Sequence, residues 1–175
     1  FLGIIPAAIT GGIGYAQYHM NKDMYDSAEV FNTEHVYVED PQDVLSPLQE
    51  QQLKDDANRI ETIDSVENIV YLVFGNNDYN VNDTVERYMR DNLSQFIEKD
   101  VFSDGVLIVG VGLEPRQAFV FAGEDVADTF DLRDNSNHLN ASIDAMKEGV
   151  VNNNIPAGLF ASASKEVDVD ELKEN

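Results

Sequence analysis

The succession of apolar and polar positions divides this chain into an apolar leader, a series of strand-like and helix-like runs, and a charged end. Phe1 to Tyr18 (FLGIIPAAITGGIGYAQY) has no charged side chain, and none follows until Lys22. Asp23 to Thr33 is polar and aperiodic. Glu34 to Glu39 (EHVYVE) alternates, which predicts a first strand ended by Asp40-Pro41. Ser46-Pro47-Leu48-Gln49 predicts a helix start: the serine caps, the proline suits the first turn, and Gln49 completes a capping box. Leu48, Leu53, Ala57 and Ile60 give that helix an apolar face to about Thr62.

Asn68 to Phe74 (NIVYLVF) is continuously apolar and stops at Gly75-Asn76-Asn77, the pattern of a strand buried on both faces. Asp83 and Glu86 open a second helix whose core side is Val85, Tyr88, Met89, Leu93, Phe96 and Ile97. Gly105 to Val111 and Gln117 to Ala122 are two further strands, joined by a segment short enough for a hairpin. Leu139, Ile143, Met146 and Val150 form another helical face, and Ile155 to Ser164 a last short helix. Helices alternating with buried strands, with one hairpin added, predict an α/β domain built on a mixed sheet covered by helices.

The boundaries that follow are an apolar segment over 1–20, a stalk over 21–33, the α/β domain over 34–164 and an acidic tail over 165–175. As a helix the first eighteen residues would rise about 27 Å, just under a hydrocarbon core of about 30 Å. Three readings compete for them: a transmembrane anchor, a signal peptide, and a buried helix of a soluble core. No clean cleavage site follows an apolar core of the right form, which weighs against the second. Four glycines and one proline among the first fourteen residues weigh against the third. Ala7 with Gly11, and Ala8 with Gly12, are spaced so that a partner's transmembrane helix can approach closely, although glycine is also simply common in membrane spans. The acidic flank that follows the segment puts the domain on the extracytoplasmic side of a cell membrane, as a single-pass protein.

Charge narrows the choice of partner. Eleven Lys and Arg against 33 Asp and Glu give a net charge of −22, so the surface repels nucleic acid and anionic lipid. No cysteine is present, which removes disulfides, thiolate nucleophiles and cysteine-based metal sites. His19, His35 and His138 are scattered, with no helical metal-ligand spacing. The loop Asn76 to Asp83 has Asp78, Asn80 and Asn82 at EF-hand-like positions. It lacks the central glycine and the closing glutamate, so a turn with a helix cap is the better account. If the hairpin turns between Gly112 and Arg116, Gly105 lies near Gly123, and Asp104 near Glu124 and Asp125. Three carboxylates at one edge call for a proton or a cation, and oxygen-only ligands favour calcium or magnesium. The competing account is three solvated acids on an acidic surface.

In order and spacing, Asp43-Val44-Leu45-Ser46, the buried strand, Asp104-Gly105-Val106-Leu107-Ile108 and Phe119-x-Phe121-Ala122-Gly123-Glu124 resemble the TPM domain family. The resemblance spans about Val36 to Ala163 and departs from the family's D-N-G, since Ser103 precedes Asp104-Gly105 here. It implies an α/β/α sandwich with an acidic, often calcium-binding cleft, which maps onto Asp104 and Glu124. Family members include a thylakoid-lumen protein of photosystem II repair with acid phosphatase activity, and membrane-anchored bacterial proteins. The expected role is therefore an accessory protein that assembles, stabilises or repairs an integral membrane protein complex, respiratory or photosynthetic in type. The alternatives are a metal-dependent acid phosphatase and a calcium-responsive binding module without catalysis.

Overall fold

A computed structural model describes residues 26–130 and 137–173. The apolar segment, with Ala7, Ala8, Gly11 and Gly12, lies outside the described residues. Among those described, no helix is long and apolar enough to cross a membrane.

The centre of the fold is a mixed four-stranded sheet of β2 (Val36–Glu39), β4 (Asn68–Phe74), β7 (Val106–Leu113) and β8 (Arg116–Ala122), in that spatial order. β2, β4 and β7 run parallel, and β8 returns antiparallel to β7. Two small antiparallel pairs flank it, β1 (Glu29–Val30) with β3 (Glu61–Thr62), and β5 (Ile97–Glu98) with β6 (Val101–Phe102). Six helices complete the fold among the described residues: α1 (Pro47–Asp55), α2 (Val81–Asn92), α3 (Glu124–Phe130), α4 (Asn137–Val151), α5 (Ile155–Val167) and α6 (Val169–Lys173).

β4 explains its own sequence. Its side chains alternate between faces, so a strand apolar at every position needs apolar cover on both. Ile69, Tyr71 and Val73 join one cluster with residues of α1, α3, α4 and α5. Val70, Leu72 and Phe74 join a second cluster with Val81, Val85 and Met89 of α2.

This partition has a topological consequence. The chain moves from β2 to β4 through α1, over the first face, and from β4 to β7 through α2, over the second. Both steps advance in the same direction across the sheet, so the two crossovers have opposite hands. One of them is the left-handed form that parallel connections nearly always avoid.

α1 starts as its sequence predicts. Ser46 accepts from the Gln49 amide, and Gln49 reaches back to the Ser46 amide, with Pro47 in the first turn. The helix ends at Asp55 and tightens into a 3-10 turn over Asp56–Arg59, short of the expected Thr62. α2 begins at Val81 with Asn80 as its cap, two residues before the expected Asp83. α4 and α5 meet at two glycines: a Cβ on Gly149 would lie 2.5 Å from the Gly158 Cα.

The fold extends past both expected boundaries. Phe31, placed in the stalk, is buried and its amide donates to Ile60, so part of that segment belongs to the domain. The expected acidic tail is largely helical over its described residues, with Glu166, Val167, Asp168 and Val169 buried. The apolar positions of α5 continue through Val167, and their burial outweighs the solubility of the acids between them.

Candidate functional site

Two ends of the sheet carry polar side chains. At the amino end of β7, Asp104 is exposed and its carbonyl accepts from the Val126 amide in the first turn of α3. The hairpin register pairs Leu107 with Ala122 and Leu113 with Arg116, leaving Glu114-Pro115 as a two-residue turn. That is one residue out from the expected pairing of Gly105 with Gly123: the Gly123 amide donates to the Val106 carbonyl, and a Cβ on Gly123 would strike the backbone of Ser103 and Asp104.

Glu124 and Asp125 open α3, where carboxylates complement the helix dipole. Adjacent helix residues do not face each other, so the two acids diverge around the first turn. Their common neighbour is Asp128, which sequence reading did not single out. Partial burial, then the Glu124 and Asp125 charges, hold its carboxyl above the ordinary range. Asp104 is close through its backbone, yet among the described residues no three His, Asp or Glu side chains gather where they could hold a metal ion. Arg116, at the far end of the hairpin, is separated from Asp104 by the length of β7, roughly 26 Å at strand rise.

The opposite end holds an open groove. The loop leaving β2 turns to the face of α1, and the loop leaving β4 turns to the face of α2. Adjacent parallel strands whose loops part in this way open a crevice at their carboxyl ends, where ligands of α/β proteins bind. Here the crevice has a volume of about 230 Å³. Pro41 and Gln42 line one side, Phe74 and Asn76 the floor, and Arg87, Tyr88, Asp91 and Asn92 of α2 the other.

Much of its polar capacity is engaged within the fold. Tyr88 donates to Glu39 at 2.9 Å, and burial together with that carboxylate pushes its phenol well up. Asp40 accepts from the amides of Val44 at 2.8 Å and Leu45 at 2.6 Å, closing the loop before α1. That loop passes through Asp43 at φ 53°, a left-handed conformation that aspartate tolerates better than most side chains. Gln42 spans the crevice mouth and accepts from the Asn76 amide at 2.9 Å. Arg87 is turned toward Asp78 at 2.7 Å, and this bond holds the Asp78 carboxyl below its usual range. Behind the loop, burial and then the Asp40 charge raise the Glu50 carboxyl.

The crevice was missed in sequence because its residues lie in two loops and a helix with no motif linking them. A signal was nonetheless there: two loops rich in Asp, Asn, Gln and Gly follow successive buried strands. Compared with models of known protein families and with curated proteins, the chain matches none.

Proposed function

We infer that this chain is a membrane-tethered accessory domain, presented on the extracytoplasmic side, which binds a partner in a membrane complex and does not transform a substrate. By analogy with the TPM family, whose α/β/α sandwich the two-faced sheet suits, the partner complex is respiratory or photosynthetic in type. The observation that carries this reading is the engagement by the fold itself of side chains in and beside the crevice: Tyr88 of the lining with Glu39, Arg87 of the lining with Asp78, and Asp40, in the adjoining loop, with two amides. A catalytic base or nucleophile needs to be within reach of a substrate, and these are committed to holding loops. The uncharged run from Phe1 to Tyr18 supplies the tether.

The phosphatase alternative has less in its favour. Phosphoryl transfer relies on cations gathered over the phosphate, whereas Arg116 is far from Asp104 and Arg87 is paired. The test is recovery of the tagged full chain from detergent-solubilised native membranes. A stoichiometric integral membrane partner is expected. Recovery of the chain alone, together with phosphatase activity that disappears in Asp104→Ala, would overturn the reading in favour of the enzyme.

A further inference from the structure

A second groove, of about 940 Å³, borders the two-stranded ribbon of β1 and β3. Its apolar lining includes Phe31, Ile63 and Val66, which are buried, and Val30, which is 57% exposed. Four carboxylates line it as well, Asp26, Glu29, Asp64 and Glu67, and among the described residues of the lining there is no lysine or arginine. All four acids are exposed, and none has a hydrogen bond or ion pair through its carboxylate among the described residues. On a chain of net charge −22 an acidic wall by itself selects nothing. Thr62 sets this one apart. It lines the groove at 4% exposure, and its hydroxyl has no hydrogen-bond partner among the described residues. A buried hydroxyl that the fold leaves unmet calls for a partner from elsewhere. Glu29 and Thr62 are directly paired across the ribbon, which puts carboxylate and hydroxyl on the same face. The ribbon stops at two strands, so β1 and β3 each keep one edge that no described strand covers.

An extended basic segment fits these groups together. Its side chains alternate in direction, so lysines can reach the carboxylates while the apolar residues between them meet Val30, Ile63 and Val66. Its backbone brings the amides and carbonyls that an unmet hydroxyl and an open strand edge accept. A free polyamine would answer the charge and leave the apolar lining and the strand edge uncovered, and a phosphate or an acidic lipid would be repelled. Position says whose segment it is. Asp26, in the wall of the groove, comes eight positions after Tyr18, where the uncharged run ends. Fully extended, that stretch reaches no more than about 29 Å. On the accessory reading, on which this step rests, the groove is therefore held close to the extramembrane loops of the partner. We propose that the groove beside the β1–β3 ribbon docks an extended basic segment of the membrane partner, with Glu29 and Asp64 meeting its cations and Thr62 its backbone.

The experiment is a titration of the isotopically labelled full chain in neutral detergent, followed by amide chemical shifts. The probes are a capped KVKVK peptide, its uncharged match QVQVQ, and spermidine, which carries the same charge as KVKVK without a peptide backbone. Saturable shifts confined to Glu29, Val30, Phe31, Thr62, Ile63 and Glu67 are expected with KVKVK, weaker ones with spermidine and none with QVQVQ. Glu29→Lys together with Asp64→Lys is expected to abolish binding. Asp91→Lys with Glu98→Lys, the same change of charge at exposed positions outside the groove, should leave it within about twofold. Thr62→Val is expected to weaken it about two- to tenfold, the loss of one hydrogen bond. Shifts that scatter over the acidic surface without saturating, equal binding of spermidine, equal loss in the two charge-reversed pairs, or unchanged binding in Thr62→Val would each overturn the proposal. Recovery from native membranes separates it from the accessory role. A partner that still accompanies the Glu29→Lys, Asp64→Lys chain in full overturns the docking site alone. A parent chain that brings no partner overturns the accessory role, and the titration then decides the groove.

Discussion

At Tyr71 the fold buries a hydroxyl that has no hydrogen-bond partner among the described residues, in a side chain with no exposed surface. Burial, with the nearby Asp56 charge, keeps the phenol from ionising. An unmet polar group in a core is a net cost, and removing it while retaining the ring recovers about 1 kcal/mol. Tyr71→Phe is therefore expected to raise the thermal midpoint by roughly 2–4 °C, measurable by scanning calorimetry; a fall would mean that the hydroxyl has a partner. Glu166 poses a different question. It is wholly buried in α5, near Ser142, which itself bonds to the carbonyl and hydroxyl of Ser162. Burial raises its carboxyl well above the ordinary range, against a smaller opposing effect of Ser142. The folded chain therefore keeps a proton that the unfolded chain loses above about pH 4.3. Its contribution to stability is complete below that pH and is lost as pH rises through the folded value. Glu166→Gln is expected to flatten that decline, so its midpoint should exceed the parent's more at pH 8 than at pH 5 in parallel melts.

Elements built on a single periodic run were legible before the structure, and those held by distant contacts were not. β4 is found with the bounds that its apolar run predicts, since a strand buried on both faces announces itself at every position. The capping box of α1 was equally plain, because both of its bonds are local. Ser46→Ala is expected to cost about 1 kcal/mol, read as a lower denaturant midpoint with an unchanged slope. By contrast, β1 and β3 are two residues each and exist only because they find each other across the chain. No local period marks them. α3 was missed because seven residues give barely two turns of pattern. The crevice belongs to the same class, since its walls meet only after α1 and α2 take opposite faces of the sheet. The α4–α5 contact is the sharpest test at this scale. Gly149→Ala would gain helix propensity of about 1 kcal/mol, but its Cβ would fall 2.5 Å from the Gly158 Cα, where only backbone can yield. Overpacking of this kind costs about 1–3 kcal/mol, so net destabilisation is expected by chemical denaturation, and a stabilised variant would show that the helices move apart.

Over the whole molecule, the net charge of −22 sets the electrostatics. Self-repulsion of this size opposes compactness and is screened within about 10 Å at 0.1 M salt. Raising sodium chloride is expected to lift the thermal midpoint by a few degrees, about 1 kcal/mol. A further rise specific to calcium, over magnesium at equal ionic strength, would point to a site at Asp104, Glu124 and Asp125. The order of the sheet also bears on how the domain would answer a mechanical load. β2 lies at its edge and holds β4 by a ladder of four residue pairs, Val36–Glu39 against Ile69–Leu72, while β4 and β7 share seven. Tension entering from the N-terminal side reaches β1 and β2 before the other strands. Those short ladders would part first and leave β4, β7 and β8 together, so the edge strand acts as a fuse that lengthens the chain without unmaking its centre.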